Sequence, residues 1–556
     1  MNSKYTIGVD FGTESGRVLL VEVRTGKEAA SSVTAYPHGV LERSLPDGTP
    51  LDKDWSLQHP EDYLAVLYRS IPEVLDTAHV LPEDVIGIGI DFTSCTILPT
   101  DGSGIPLCVN EQWKHRPHSW VKLWKHHAAQ PEADEITALA ASRKEHFPNQ
   151  YGGKISSEWM FPKLLEVLRD DPEVYEAADL WLEAGDWMVF RLTGELSRSS
   201  STSGFKALWS KREGYPDPHF LSMLDPRLAN AAQTKLRGKI LPLGAKAGVL
   251  TQEMAARLGL KAGTAVAVNI IDAHAAVPAV GAVRPGQLVM SMGTSTCHML
   301  VSDREEEIEG ICGVVEDGII PGFYGYETGQ AAVGDAFSWY VNQAVPSYVQ
   351  DKAVKKGVSI HEWLEGQASR LCPGESGLIA LDWWNGNRSV LVNANLSGLI
   401  VGLTLATRPE EIYRCMLEST AFGTRKILET FADAGLIINE IFACGGLPQK
   451  NNLLMQIYAD VLNHEIKVAD SSQITALGSA MYAAVAAGGW DNIAEAAQHM
   501  AKVKEDSYKP NPKNAKLYNL LYAAYLQLHD YFGRDSPAFM QQLKQQKMST
   551  SSEVPE

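Results

Sequence analysis

Cysteine is scarce and scattered in this sequence. Seven cysteines occur among the 556 residues, at positions 95, 108, 297, 312, 372, 415 and 444. None of them is paired at the spacing of a metal-ligand set. We therefore interpret them as reduced thiols, most of them buried.

Positive charge is also in short supply. The chain has 49 Lys and Arg residues against 67 Asp and Glu residues, which gives a formal net charge of −18. A surface of this sign opposes binding to nucleic acid and to anionic membranes, so we expect neither as a partner. An anionic substrate would have to be held by a local group of donors.

Long hydrophobic runs suited to a membrane are missing. The most apolar long segments, 262–283 and 474–490, contain Asp272 and His274 in the first and are Ala/Gly-rich with Ser479 in the second. These features predict packed interior elements rather than membrane spans. Residues 1–4 lead directly into a predicted strand with no apolar export segment, so we expect a cytoplasmic protein.

The sequence contains no G-x-x-x-x-G-K-[ST] motif, which excludes a P-loop enzyme on sequence grounds. Asp10-Phe11-Gly12 spells the protein-kinase triplet, but it lies at the N-terminus with no catalytic loop before it. We interpret that match as accidental.

A glycine-centred hairpin near the N-terminus is the first motif that points to a function. A predicted strand ends at Asp10-Phe11, a Gly12-Thr13 turn follows, and a second strand continues after Arg17. Glycine removes the side chain that would block a close approach to the backbone, and turns of this kind bind phosphate. Asp10 at the strand end is placed to hold magnesium through water.

The same plan recurs far downstream in residues 286–301, around Gly293-Thr294. One such hairpin would be weak evidence, because most glycine turns are plain hairpins. Two at matching places in two halves of the chain predict a clamp around phosphate.

Two apolar strands end in polar residues. Residues 85–91 lead to Ser94 and Cys95, and residues 266–271 lead to Asp272. Because the carboxyl ends of such strands face the ligand crevice of an open α/β sheet, Ser94 and Cys95 are candidate substrate contacts. Asp272 is a candidate general base, and a helix N-cap is the structural alternative.

Two further stretches allow both a functional and a structural interpretation. The serine-rich run 199–206 has aromatic residues on both sides, which favours a packed segment from which Lys206 reaches a cleft. His118, His126 and His127 have no acid or cysteine at ligand spacing, which favours a solvated helix face over a metal site.

A glycine turn, Gly445-Gly446, follows a strand at 441–444 and precedes a helix that starts at Asn451. Such a turn suits a flat adenine and ribose, although an ordinary strand-to-helix connection fits as well. A chain of this length should exceed one hydrophobic core. Two phosphate hairpins, this turn and a hinge at 281–286 together indicate an ATP cleft of the kind shared by actin, hexokinase and sugar kinases.

The chain resembles the FGGY carbohydrate kinases over nearly its full length. The phosphate motif at 10–17, the segments 398–403 and 411–418, and Gly445-Gly446 with Asn451 carry the resemblance. The stretches 92–95, 272–274, 329–335 and 381–388 are similar to the ribulose-phosphorylating members. Two residues depart from the family pattern. Glu14 stands where most members have a small hydroxylated residue, and Cys415 stands where Ala or Ser is expected.

The resemblance implies an α/β fold of two ribonuclease H-like (actin/hexokinase-type ATPase) domains with an interdomain cleft. We expect an N-terminal domain at 1–283, a C-terminal ATP-binding domain at 284–540, and a disordered polar tail at 541–556. The implied reaction is ATP-dependent phosphorylation of the terminal hydroxyl of a ketopentose, foremost L-ribulose in arabinose use. Xylulose, ribitol or glycerol as the substrate, and a non-catalytic actin-like ATPase, remain as alternatives.

The resemblance also implies roles for single residues. Asp272 is the implied catalytic base. The sugar, ATP and Mg²⁺ are the expected small-molecule partners, and a homo-oligomer is compatible with the family. The implied sugar contacts are Ser94, Cys95, Lys206, Asp272 and Glu327. The implied ATP contacts are Thr13, Ser15, Arg17, Gly293, Thr294, Gly334, Gly445, Gly446 and Asn451, with Asp10 for the hydrated metal.

Overall fold

The computed structural model describes the backbone of residues 3–551 and the side chains of residues 3–544 and 546. The strands are β1 Tyr5–Phe11, β2 Ser15–Glu22, β3 Glu28–Ala35, β4 Leu57–Gln58, β5 Val85–Phe92, β6 Ile97–Thr100, β7 Val121–Lys122, β8 Leu180–Glu183, β9 Ser197–Ser199, β10 Lys239–Leu241, β11 Lys246–Val249, β12 Ala265–Ala267, β13 Ile270–Ile271, β14 Gln287–Met292, β15 Thr296–Ser302, β16 Gly313–Glu316, β17 Tyr324–Gln330, β18 Ile379–Leu381, β19 Leu399–Val401, β20 Glu440–Cys444, β21 Ile466–Ala469 and β22 Val503–Tyr508.

The α-helices are α1 Pro60–Ala78, α2 Gln130–Arg143, α3 Met160–Asp170, α4 Pro172–Ala177, α5 Ala184–Thr193, α6 Ser200–Lys206, α7 Pro218–Leu224, α8 Ala231–Thr234, α9 Gln252–Leu258, α10 Asp272–Ala279, α11 Gly334–Trp339, α12 Ser347–Lys356, α13 Ile360–Ala368, α14 Pro409–Asp433, α15 Gly446–Lys450, α16 Asn452–Leu462, α17 Ile474–Ala486, α18 Ile493–Met500, α19 Pro512–Asp530 and α20 Pro537–Ser551.

The first large sheet has the strand order β11-β12-β5-β1-β2-β3, with β13 also paired to β5. β1 and β2 form the predicted antiparallel hairpin, in which Asp10 lies opposite Arg17. β1 and β5 are parallel, which suits strands whose apolar residues are buried on both faces. The predicted hairpin and the predicted strand at 85–91 are therefore confirmed.

The second large sheet repeats this plan with the order β16-β17-β15-β14-β20-β21-β22. Its first strand, β14, is antiparallel to β15 and parallel to β20, as β1 is to β2 and β5. The chain thus builds one α/β unit twice, and the predicted fold of two ribonuclease H-like halves is confirmed.

Two helices, α10 and α17, cross where the halves meet. α17 comes from the C-terminal half but packs against β1, β5 and α10 of the N-terminal half. Glycines make this approach possible. A Cβ atom at Gly8 would lie 1.8 Å from the Ala476 carbonyl oxygen, and one at Gly478 would lie 1.7 Å from the Ala275 carbonyl oxygen. The helix backbone therefore rests directly on its neighbours.

A smaller four-stranded sheet, β4-β7-β6-β8, is inserted in the N-terminal half and packs with α3. Here the prediction of a solvated face is wrong for His118 and His126, whereas His127 is exposed. His118 and His126 are both buried, and the ring of Trp55 packs against each of them. His126 Nε2 also lies 2.9 Å from Glu166 Oε1. The buried carboxylate of Glu166, which is distant in the sequence, therefore contacts His126 where the prediction placed solvent.

The C-terminal segment also requires a correction. We expected disorder from Gln541, but α20 continues to Ser551. Gln and Lys are good helix formers, and the segment is anchored by buried Met540 and by Lys544 Nζ, which donates to the Ala394 carbonyl at 2.7 Å. The rest of the predicted tail, 552–556, lies outside the described residues.

The predictions about membrane spans and about the cysteines can be compared with the structure of residues 3–551. None of the helices there combines the length and the apolar character that crossing a bilayer requires. All seven cysteines are free, and Cys95, Cys108, Cys415 and Cys444 are buried, as predicted.

Candidate active site

The turn of the first hairpin is held in place by three side chains from outside it. Tyr36 Oη donates to the Gly12 carbonyl at 2.9 Å, and Gln58 Nε2 donates to the Thr13 carbonyl at 2.7 Å. Trp124 Nε1 donates to Thr13 Oγ1 at 3.1 Å. Because the Thr13 hydroxyl oxygen accepts the indole N–H, its own hydrogen is left to donate to a ligand.

The turn of the second hairpin is held by the start of α11. Gly334 N donates to the Gly293 carbonyl at 3.1 Å, and Val333 N donates to the Thr294 carbonyl at 2.8 Å. A Cβ atom at Gly334 would lie 2.6 Å from the Gly293 oxygen, so only glycine fits there. Gly293, Thr294 and Gly334, all predicted phosphate contacts, therefore lie together.

Three carboxylates lie along the edge of the first sheet. Asp10 of β1 is in register with Asp91 of β5, and Asp91 is in register with Ile270 of β13, two residues before Asp272. Strand spacing places Asp10 and Asp272 about 10 Å apart across this edge. The predicted metal residue and the predicted base therefore lie at the same end of the sheet.

Asp10 and Asp91 have different partners. Arg17 Nη1 donates to Asp10 Oδ2 at 2.8 Å, which joins two predicted site residues. Ser479 Oγ donates to Asp91 Oδ2 at 2.6 Å, while Asp91 Oδ1 is buried without a partner in the described part of the chain. Burial, and then the nearby Asp10 charge, hold the pKa of Asp91 well above its usual value. Asp91 is therefore harder to ionise than an ordinary aspartate.

Asp272 is the first residue of α10, and Ile271 is the N-cap, so the structural alternative of a helix N-cap does not apply. Its Oδ1 accepts from Ala273 N at 2.7 Å. Burial, followed by repulsion from Asp10, raises its pKa to about 7. A carboxylate with a pKa near 7 is suited to accept a proton at neutral pH.

A buried ionic cluster lies close enough to Asp272 for its Glu327 and Lys206 charges to act on the Asp272 pKa. Lys206 Nζ donates to both carboxylate oxygens of Glu327 at 3.0 Å. Arg388 Nη2 donates to Glu327 Oε1 at 2.9 Å, and His274 Nε2 lies 3.1 Å from Glu327 Oε2. Burial raises the pKa of Glu327, but Lys206, His274 and Arg388 outweigh it and hold the pKa well below the usual value. Glu327 is therefore ionised.

The cluster joins the two halves of the chain. Lys206 ends α6 and His274 lies on α10, whereas Glu327 lies on β17 of the second sheet. Burial lowers the pKa of His274, so the ring is neutral near pH 7. Its Nδ1 lies 3.2 Å from Ser201 Oγ, so the neutral ring carries its proton on Nε2 and donates it to Glu327. Four contacts occupy the Glu327 carboxylate, which leaves Lys206 and Arg388 as the groups whose remaining N–H bonds can meet a ligand.

Ser94 and Cys95 lie in the loop after β5. Cys95 has φ of +61°, a conformation that is uncommon for a residue other than glycine. Its side chain is buried, and burial raises the pKa of its thiol to about 12. Cys95 therefore remains a neutral thiol, and Ser94 is the more accessible of the two.

The glycine turn after β20 lies beside the second hairpin. Gly445 has φ of +96°, and a Cβ atom there would lie 2.4 Å from the Met292 carbonyl oxygen. A Cβ atom at Gly446 would meet nothing within 4 Å, so there is open space beside it. Asn451 is engaged as the N-cap of α16, since its Oδ1 accepts from Leu454 N at 2.8 Å.

The structure thus places the predicted residues in the turn of the first hairpin, in the second hairpin with the glycine turn beside it, at the carboxylate edge and in the ionic cluster. Ser15 begins β2 directly after the first turn. Sequence reasoning assigned no role to Asp91, Trp124, His274 and Arg388. Asp91 carried a usable signal, because it ends an apolar strand as Asp10 does.

Comparison with known proteins gives a consistent result. Residues 5–279 and 288–487 match the models of the N-terminal and C-terminal domains of the FGGY family of carbohydrate kinases. Among curated relatives, ribulokinases of Anoxybacillus flavithermus and Geobacillus thermodenitrificans are each 59% identical over 552 residues, which is 98% of this chain and 98% of theirs.

Solved structures agree in fold. The xylulose kinase from Rhodospirillum rubrum superposes with a TM-score of 0.78 at 22% identity, covering 95% of this chain and 99% of that one. The ligand-bound xylulose kinase from Lactobacillus acidophilus gives a TM-score of 0.79 at 18% identity, covering 96% and 100%. Because both family models match and the relatives align over nearly the whole chain, the chain belongs to the FGGY family of carbohydrate kinases and is a phosphotransferase that uses ATP.

Proposed function

We propose that this enzyme transfers the γ-phosphoryl group of ATP to the terminal hydroxyl of L-ribulose, giving ADP and L-ribulose 5-phosphate. The substrate is supported by relatives named ribulokinase that are 59% identical over 98% of both chains. The observation that carries the mechanism is the place of Asp272, between the carboxylate edge and the Lys206–Glu327 cluster, whose charges both act on its pKa.

Asp272 is the proposed base. As the sugar oxygen bonds to the γ-phosphorus, its proton passes to the Asp272 carboxylate and the bond from the γ-phosphorus to the bridging oxygen breaks. Phosphoryl transfer depends mainly on positioning and charge stabilisation, so one base and a set of donors are sufficient. Ser94, Cys95 and Lys206 are proposed to contact the sugar, with Arg388 added from the cluster geometry. Glu327 is proposed to act on the sugar through Lys206 and Arg388, which its carboxylate holds.

The phosphate groups are assigned to the two hairpins. Thr13, Ser15 and Arg17 approach from the first, and Gly293, Thr294 and Gly334 approach from the second. The nucleoside is assigned to Gly445 and Gly446, beside the open space at Gly446. Asn451 is proposed to shape this turn by capping α16, with a ligand contact only through Nδ2, which lies 3.4 Å from Tyr413 Oη.

A magnesium ion fits the carboxylate edge. Asp91 Oδ1 is buried without a partner in residues 3–551, and the Asp10 charge raises the pKa values of both Asp91 and Asp272. A divalent cation would relieve this repulsion, and Asp10 would hold it through water. When bound, the ion would supply charge neutralisation at the β- and γ-phosphates.

The raised pKa of Asp272 predicts a pH dependence. Its base form is lost below a pKa of about 7, whereas an ordinary aspartate stays ionised down to 3.8. With both substrates kept well below their KM values, the rate constant should fall about tenfold per pH unit below this pKa and level off above it. A rate that stays constant down to pH 5, in protein shown by circular dichroism to be folded, would contradict the assignment.

The substrate is tested by ADP release across a panel of pentuloses, pentitols and glycerol. L-Ribulose should give the highest kcat/KM, and ADP release without sugar should be negligible. A preference for xylulose, ribitol or glycerol would replace the substrate and keep the kinase. ADP release that does not depend on any sugar would favour the actin-like ATPase alternative.

A further inference from the structure

Lys163 is a buried lysine near the start of α3 that contacts two segments of the site. Its Nζ donates to the Cys95 carbonyl at 2.6 Å and to the Leu123 carbonyl at 2.8 Å. Its side chain is fully buried, and burial lowers its pKa to about 8. Burying an ammonium group costs free energy that a packed apolar side chain in the same place would not cost. The two contacts of Lys163 therefore need an explanation.

The first contact holds the loop after β5. Cys95 takes the left-handed conformation, which persists in a non-glycine residue only where the surroundings enforce it. The ammonium of Lys163 holds the carbonyl of that residue. Ser94, a proposed sugar contact, is the residue directly before it.

The second contact holds the segment that reaches the first phosphate hairpin. Leu123 precedes Trp124, whose Nε1 donates to Thr13 Oγ1 at 3.1 Å. Glu166, one turn further along α3, fixes the same segment on both sides of Trp124, through Lys122 at 3.2 Å and His126 at 2.9 Å. α3 therefore clamps this segment at Lys122, Leu123 and His126.

We propose that Lys163 is a positioning residue that fixes the Ser94–Cys95 loop and the Trp124 segment relative to each other, so that Ser94 and the Thr13 hydroxyl are presented to sugar and phosphate together. The inference rests on the proposed function, because that proposal makes Ser94 a sugar contact and Thr13 a phosphate contact. Lys163 itself is fully buried and donates to the two carbonyls, so we assign it no contact with either ligand.

The test is Lys163→Met, which keeps the stem of the side chain and removes both donors. Each lost contact is a hydrogen bond from a charged group, so we expect the KM values for sugar and for ATP both to rise by about tenfold or more. Trp124→Phe removes only the indole donor to Thr13. Trp124→Phe should raise the KM for ATP and leave the KM for sugar within about twofold. If Trp124 only stabilised the fold, the two KM values would not differ in this way.

Lys235→Met is the matched control. Lys235 Nζ also donates to backbone carbonyls, those of Tyr175 at 2.9 Å and Ala178 at 2.6 Å, but neither belongs to a segment of the site. It should lower the melting temperature and leave both KM values unchanged. If Lys163→Met behaves in the same way, with unchanged KM values in the folded enzyme, the proposal is wrong.

A replacement variant and the choice of assay sugar ensure that every outcome supports or contradicts the role of Lys163. If Lys163→Met does not fold, Lys163→Leu, which also lacks a donor, is measured in its place, and unchanged KM values there also overturn the proposal. All variants are assayed with whichever sugar the wild-type enzyme prefers in the panel. A different preferred sugar would therefore overturn the substrate assignment and leave the test of Lys163 intact.

Discussion

Asp272→Asn is expected to lower kcat for sugar phosphorylation by about 10²–10⁴-fold, the usual contribution of a general base. The amide keeps the size of the side chain, and its oxygen can still accept from Ala273 N, as Asp272 Oδ1 does at 2.7 Å. What is lost is the capacity to take up a proton. ATP binding, measured by calorimetry, should persist because the phosphate hairpins are untouched.

Glu183→Gln is the matched control for this loss. Burial raises the pKa of Glu183 to about 8, so its carboxyl group is already neutral at pH 7 and an amide changes little. Its activity should stay within about twofold of wild type, the range expected when no charge is removed from the reaction. Near-normal turnover by Asp272→Asn would remove Asp272 as the base.

Gly478→Ala is expected to have the largest effect on folding. The added Cβ would lie 1.7 Å from the Ala275 carbonyl oxygen. Both groups belong to helix backbones that cross, so neither can rotate away and α10 must separate from α17. We expect the free energy of unfolding to fall by more than about 4 kcal/mol, an exceptional value for one methyl group.

The same substitution at Gly366 provides the control. Gly366 lies within α13, and a Cβ atom there would meet nothing within 4 Å. Gly366→Ala should therefore stabilise the protein by about 0.5–1 kcal/mol, because alanine is the better helix former. Chemical denaturation of the two variants should give shifts of opposite sign. An unchanged midpoint for Gly478→Ala would show that the two helices can separate without cost.

Features that depend on neighbouring residues could be predicted from the sequence. The Gly12-Thr13 and Gly293-Thr294 turns follow from residues adjacent in the chain. The strand predicted at 266–271 is present as two short strands, β12 and β13, of which the second leads to Asp272. The expected start of α16 at Asn451 also follows from a local signal, since this side chain caps its own helix.

The ionic cluster could not be assembled in this way. Its four residues are distant in the sequence: Lys206, His274, Glu327 and Arg388. Only the fold shows that the Glu327 carboxylate accepts hydrogen bonds from the other three side chains. The misassigned His126 has the same cause. Its surroundings depend on Glu166, 40 residues away, which no local pattern reveals.

The contact between the two halves can form only after the C-terminal half has been synthesised. Asp91 and its partner Ser479 are 388 residues apart in the chain. At a translation rate of about 5–20 residues per second, the glycine-bearing face of β1 and β5 emerges from the ribosome roughly 20–80 s before α17 exists to cover it. The face of β1 and β5 that α17 covers in the folded enzyme therefore stays without its native cover for most of the time that translation takes.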